Sequence, residues 1–267
     1  MMRFPSVFVN HGGGPLPLLG QQPEIVAQFK DVTTKWLPTR PDAIVVFSAH
    51  WESNPIEITS SSKPTMLYDY SGFPAETYKY QYPAPGSPAL AEKIQRLLEG
   101  NGIQSQLNEK RGYDHGVFIP LMCMYPDADI PVVAVSLHAS LSAKISLGVG
   151  KALSPLRNEN ILLLGSGYTY HNMHGFFHPS NETYKASSSF NDWLKGTITL
   201  NDVDERVRKL EQWENAPGAR ECHPREEHLL PLLTIAATTA ASTDQPKIVY
   251  ESKAGNGNHA VTSFVFP

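Results

Sequence analysis

The chain has only two cysteines, Cys123 and Cys222, in 267 residues. Two thiols do not make a disulfide framework, so a reducing cytoplasm is the expected compartment. Neither belongs to a C-x-x-C pair, so a bound metal would have to be held by histidine and carboxylate. No apolar run approaches the roughly 18 residues needed to cross a bilayer. The start, "MMRFPSVFVNHGGG", lacks the layout of a signal peptide. There is no excess of positive charge either. A formal net charge of −4 argues against a nucleic-acid partner, because phosphate binding needs a basic surface. Internal repeats, low-complexity tracts and linker-like breaks are missing as well. What is present is an ordinary globular composition, 41% hydrophobic and 18% charged, over a length that suits one domain spanning residues 1–267.

Apolar runs alternate with helical periodicity. "SVFVN" reads as a short buried strand at 6–10, followed by a glycine-rich turn. Ile25, Val26, Phe29, Val32 and Trp36 recur at helical spacing. "AIVVFS" at 43–48 is a second buried strand, and its β-branched residues suit a parallel strand covered on both faces. "PIEITSSS" is a candidate third strand. Residues 62–86, rich in Pro, Tyr and Gly, read as a long loop. Ser87 and Pro88 start a clear helix that glycines close. A strand at 103–107, an apolar helix at 117–124, the strand "IPVVAVSLH", a helix near 142–153 and the strand "ENILLLGSG" follow. Two polar-faced helices come next, in "ETYKASSSFNDWLKGTITL" and "DVDERVRKLEQW". A more buried helix in "HPREEHLLPLLTIAATTAA" is expected after Pro224, and "KIVYES" and "AVTSFVF" are closing strands. The fold class is α/β: one domain, with a central, mostly parallel sheet flanked by helices.

Open α/β sheets bind ligands beyond the carboxyl ends of their strands. His11 follows "SVFVN", His50 follows "IVVFSA", His138 follows "VVAVSL", and His171 comes shortly after "ILLLGSG". Parallel neighbouring strands would bring all four to one edge, and a random scatter seldom does that to four of ten histidines. The glycines of "HGGGP" and "GSG" permit sharp turns and close backbone approach. Glu226, Glu227 and His228 stand at the start of the expected apolar helix. Two strand-end histidines with a third histidine or a carboxylate make a three-ligand site with open positions. Such a site suits catalytic zinc or non-heme Fe(II).

The set "HGGGP", "FSAHW", "YPAPGSPALAEKI", "RGYDHGVFIPLMCMYPDADIPV", "LLLGSGYTYHN" and "HPREEHLLPLL" resembles the LigB-like class III extradiol ring-cleavage dioxygenases, nearest their 4,5-DOPA extradiol dioxygenase branch. The resemblance runs over almost the whole chain. It implies a catalytic Fe(II), which zinc can replace in a crystal, held by His11, His50 and His228, with Glu227 as the alternative third ligand. It implies His171 as the acid/base beside the metal, close enough to touch it, and His115 as a second pocket histidine facing substrate or oxygen. The implied partners are a small-molecule catechol and O2, with neither nucleic acid nor membrane. One departure is visible. Plant members follow the central histidine with a Pro-Leu-Asp type loop, whereas "HNMHGFFHPSN" here is nearer the bacterial pattern.

Further expectations concern the surroundings. His174 and His259 are candidates to line the substrate pocket. His178 and His223 read as a surface-loop and a helix-start residue. Asp114 is a candidate to orient His115, and Tyr68, Tyr70, Phe73 and Tyr78 are candidates for the pocket wall. Histidine titrates near neutral pH, so it can take a proton from a catechol and later return one. The rival readings are a zinc hydrolase using the same histidines to activate water, and a non-catalytic relative that only binds a phenol.

Overall fold

A computed structural model describes residues 3–239, 245–255 and 258–267. Its elements run β1 (Ser6–Asn10), α1 (Pro23–Asp31), β2 (Ala43–Ser53), β3 (Ile56–Thr59), α2 (Pro88–Glu99), β4 (Ser105–Asn108), α3 (His115–Met124), β5 (Val132–His138), α4 (Ala143–Leu153), β6 (Ile161–Gly167), α5 (Met173–Phe177), α6 (Asn181–Ile198), α7 (Val203–Glu211), α8 (Ala219–Cys222), α9 (Leu230–Ala236), β7 (Lys247–Ser252) and β8 (Val261–Phe266). The strands form one sheet in the order β4-β3-β5-β2-β6-β1-β8-β7. The four central strands are mutually parallel, through β5·β2, β2·β6 and β6·β1. Antiparallel pairing occurs towards the edges, at β3·β5, β1·β8 and β8·β7.

Strand period explains the two cores. Successive side chains point to opposite faces. Val45, Phe47, Val133, Val135 and Leu163 pack on one face with Leu90, Ile94 and Leu98 of α2. Ile44, Val46, Val132, Leu162 and Leu164 pack on the other with Ile25 and Phe29 of α1 and Phe118 of α3. Each fully buried aliphatic side chain contributes roughly 1.5–3 kcal/mol, so the sheet is held from both sides. Helix starts follow local chemistry. Ser87 Oγ accepts from Leu90 N at 3.3 Å, ahead of Pro88 at the first helical position. Such a cap contributes about 1 kcal/mol.

Three differences from the sequence expectations bear on the site. Strand β2 runs on to Ser53, with an irregularity after Phe47. The helix expected over 25–36 changes at Asp31 to one turn of π-helix, Val32–Trp36. The helix expected after Pro224 starts only at Leu230. Pro231 has no N–H to give to the carbonyl of residue 227, so the chain before it is a turn. Ala240 and Ala241, at the end of that stretch, lie outside the described residues.

Candidate metal centre

The parallel core delivers its strand ends to one place. His11 directly follows β1, and its N–H donates to Gly167 O at 3.0 Å. His50 lies in the irregular part of β2, where the register advances five residues, Phe47 to Glu52, while β5 advances two, Val135 to Leu137. A bulge of this kind re-aims a side chain at the rim of a sheet. His115 is the first residue of α3. The 226–229 turn lies over the end of β6, where Tyr168 N donates to His228 O at 3.0 Å. Gly167 permits this approach, since a Cβ there would sit 2.2 Å from His228 O. His171 is held by its N–H to Cys222 O at 2.9 Å, and Thr169 N donates to the buried Asn10 Oδ1 at 2.9 Å.

Five imidazoles converge. Ring centroids lie 5.0 Å apart for His11 and His50, 3.8 Å for His50 and His115, 4.8 Å for His50 and His228, and 5.3 Å for His11 and His228. His171 stacks on His228 at 3.4 Å. Each ring meets an oxygen at Nδ1. Ser166 Oγ donates its proton to Gly116 O, so it accepts from His11 Nδ1–H at 3.0 Å. Asp69 takes His115 Nδ1–H on Oδ1 at 2.8 Å and faces His50 Nδ1 with Oδ2 at 3.5 Å. Glu227 Oε1 takes His228 Nδ1–H at 2.9 Å and His171 Nδ1–H at 3.2 Å. Hydrogen bonds thus place the proton on Nδ1 of His11, His115 and His228 and leave their Nε2 with a lone pair, while His171 and His50 turn Nδ1 to a carboxylate oxygen at 3.2 and 3.5 Å.

His11 Nε2 and His50 Nε2 meet at 3.3 Å, where either one proton or one cation can join them. Two neighbouring ligands about 2.1 Å from one ion are separated by about 3.0–3.4 Å, so the pair has the spacing of metal ligands. Three of the rings are also kept neutral. Burial first, then the neighbouring histidines, holds His11 and His228 well below the ordinary 6.5. Burial and His115 take His50 down to about 3. Donor atoms of His11, His50 and His115 lie within 4.8 Å of one another, as do those of His171, Glu227 and His228. The second group is already joined by the hydrogen bonds through Glu227 Oε1. Glu227 faces the Nδ1 edges of both rings, the edges of a ligand's outer support.

Both carboxylates stay anionic. Burial alone would raise Asp69, but the hydrogen bond and charge of His115 outweigh it and hold the group at about 2. Burial likewise works against ionisation of Glu227, and the bond to His171 carries it below the usual value. Its Oε2 lies 3.3 Å from Arg225 Nη1, and Arg225 spans both oxygens of Glu52 at 2.6 and 2.5 Å. The turn is thus tied back to β2.

A cavity of ≈ 510 Å³ opens over the cluster, and all five histidines line it. The remaining expectations divide. Tyr70 and Phe73 line this cavity, while Tyr68 turns its hydroxyl to Tyr80 O at 2.5 Å and packs edge-on to Tyr78, behind the wall. His174 and His259 do not line it. His174 is exposed and faces His178, because Asn172 caps α5 with Met173, Phe176 and Phe177 on the cavity side at helical spacing. His259 is buried against Tyr170, with ring centroids 3.9 Å apart, and its Nε2 meets Thr183 Oγ1. His223 ends a helix instead of starting one: it follows α8 as its C-cap, is fully buried with Nε2 3.1 Å from Thr169 O, and burial takes it to about 3. His138 is level with Ser53, past the β2 bulge, bonded to Ser140 in a separate cavity. Asp114 accepts from Ser48 Oγ at 2.6 Å and Arg111 Nη2 at 2.9 Å, so it braces β2 instead of orienting His115. Asp69 does the orienting. Sequence reading missed Asp69 because it lies in the aperiodic 62–86 loop. Paired backbone bonds between 65–67 and Tyr113 bring it in, at a crossing where a Cβ on Gly112 would lie 2.6 Å from Thr65 O.

Comparison with known proteins gives concordant matches. Residues 9–265 match the family described as the catalytic LigB subunit of aromatic ring-opening dioxygenase. A 4,5-DOPA dioxygenase extradiol from Beta vulgaris is 35% identical over 97% of this chain and 96% of its own. The protein of the same name from Escherichia coli K12 is 36% identical over 87% and 84%. A crystal structure of an uncharacterized protein from Escherichia coli K12 superposes with a TM-score of 0.80 at 31% identity, covering 99% of this chain and 100% of that one.

Proposed function

The chain belongs to the LigB family of aromatic ring-opening dioxygenases and is an extradiol ring-cleavage enzyme; from that premise we propose that it opens the ring of a catechol with O2 at a non-heme Fe(II) held by His11, His50 and His228. The observation that carries the ligand set is the pair of Nε2 atoms of His11 and His50 at 3.3 Å, each ring braced at Nδ1. His228 completes the set because Glu227 occupies its Nδ1 and leaves Nε2 to bind. Glu227 is the outer support in this reading, not the ligand.

When bound, Fe(II) supplies a Lewis acid that acidifies the catechol hydroxyls and a site for O2 beside them. The chain supplies the proton handling. His171 is half-buried at the cavity wall, with Nδ1–H on Glu227, so Nε2 is the atom that takes a hydroxyl proton. The imidazolium that forms is stabilised by the Glu227 carboxylate 3.2 Å away. His115 is arranged in the same way on Asp69, at 2.8 Å, and is the second proton-handling group. Tyr70 and Phe73 hold the ring and exclude water from that edge of the cavity.

The test is anaerobic loading with Fe(II), followed by O2 uptake and absorbance scans over a catechol panel. Iron-dependent O2 consumption with a new visible chromophore is expected. Equal activity with zinc and without O2 would replace this reading with hydrolysis.

A further inference from the structure

Beyond the histidine floor, the cavity wall carries no ionic side chain: none of its lining residues is Lys, Arg, Asp or Glu. Leu16, Phe73, Met173, Phe176 and Phe177 make most of that wall, together with the ring of Tyr70. Tyr70 turns its hydroxyl away, to Thr77 O at 2.6 Å. In the glycine turn, the Gly13 N–H is already donated to Gln22 Oε1 at 2.9 Å, so an anion does not find that amide free. The residues outside the structural description include no Lys or Arg in the sequence. The mouth is apolar too. Only four large hydrophobic side chains are exposed among the described residues, and two of them, Phe177 at 73% and Met173 at 51%, stand there.

We propose that the substrate of this site is a catechol bearing an uncharged, apolar ring substituent, and that acid and amino-acid side chains are disfavoured. The inference rests on the ring-cleavage reading and narrows it to a substrate class. A carboxylate or ammonium moved against this wall gives up its hydration and meets no side chain of opposite charge, only neutral polar groups such as the Gln22 amide. An alkyl substituent covers Met173 and Phe177 and removes apolar surface from water. Discrimination is then a difference between the two, with the wall opposing charge as well as favouring carbon.

The test compares 4-propylcatechol, 3-(3,4-dihydroxyphenyl)propionate and DOPA, which share a three-carbon substituent and differ in charge. Each is measured on the Fe(II)-loaded protein twice: by anaerobic calorimetric binding, and by turnover with O2. Binding and kcat/KM for 4-propylcatechol are expected to exceed those of the other two by about tenfold or more. Phe177→Arg, a change at an exposed position, should shift the ratio of propionate to propylcatechol towards propionate. Binding and turnover of the charged catechols equal to or better than those of propylcatechol would overturn the proposal and leave ring cleavage standing. Preferential binding of propylcatechol with no ring opening of any of the three would keep the ligand class and overturn the ring-cleavage reading.

Discussion

The site has two halves built on one plan. In each, a carboxylate from outside the strands braces two imidazoles at Nδ1: Asp69 for His50 and His115, Glu227 for His171 and His228. In each, a glycine lets the carrying segment approach, Gly112 below the Asp69 loop and Gly167 below the Glu227 turn. The halves differ in how the oxygens are used. Asp69 gives one oxygen to each ring, and its Oδ1 also accepts from His115 N at 2.9 Å. Glu227 serves both rings with Oε1 and turns Oε2 towards Arg225. In the proposed roles, each carboxylate therefore braces one metal ligand and one proton-handling histidine. Loss of the Glu227 charge disturbs both functions through one atom. Loss of the Asp69 charge can be shared between two.

The largest effects should come from the ligands, and should be equal across the halves. Alanine at His50 or at His228 should abolish iron binding and activity together, as should alanine at His11, with iron content read by elemental analysis. Full iron in His228→Ala alongside loss of iron in Glu227→Ala would reverse the ligand and support roles. Next come the proton-handling histidines. His171→Ala should keep most of its iron while kcat falls about 10²–10⁴-fold, with a smaller fall for His115→Ala. Near-normal turnover of His171→Ala would remove it from the chemistry.

The carboxylates come third and separate the halves most sharply. Glu227→Gln and Asp69→Asn should each weaken iron affinity, by about 10–100-fold. Glu227→Gln should be the worse, because its one oxygen carries two rings and its new amide faces Arg225. Equal losses in a metal titration would erase the distinction drawn above. The effect that separates the halves least is on acid stability of the metal-free protein. His50 is neutral when folded down to about 3 but takes a proton near 6.5 when unfolded, so the unfolded chain binds more protons in between. Stability should therefore fall with acidification across that window, by up to about 1.4 kcal/mol per pH unit for each such histidine. Asp69 acts only lower, as pH falls below the ordinary 3.8 towards its value of about 2. Melting temperatures from pH 7 to pH 4 check the sign, and a flat profile would mean the cluster is not held neutral.

The central strands were legible because runs such as "IVVF" and "ILLL" are buried on both faces, so their composition alone marks them. His11 and the region of His50 were legible from the same runs, since a parallel strand end is where a ligand binds. Neighbouring Glu227 and His228 could not be told apart by role, because order along the chain does not say which of two adjacent groups faces inward. His138 was misplaced by the β2 bulge, which no hydrophobic pattern announces. Asp69 and the apolar wall of α5 depend on a loop crossing and a helix cap, both of them tertiary facts. His259 and His223 are buried by aromatic and backbone partners that lie far off in sequence.

The most direct test of the account is mass analysis of the product formed under ¹⁸O2 by the Fe(II)-loaded protein from 4-propylcatechol. Ring cleavage at the His11, His50 and His228 centre predicts one ring-opened product that carries both atoms of the labelled O2. An unlabelled product, or consumption of the catechol that survives complete removal of iron, would contradict it.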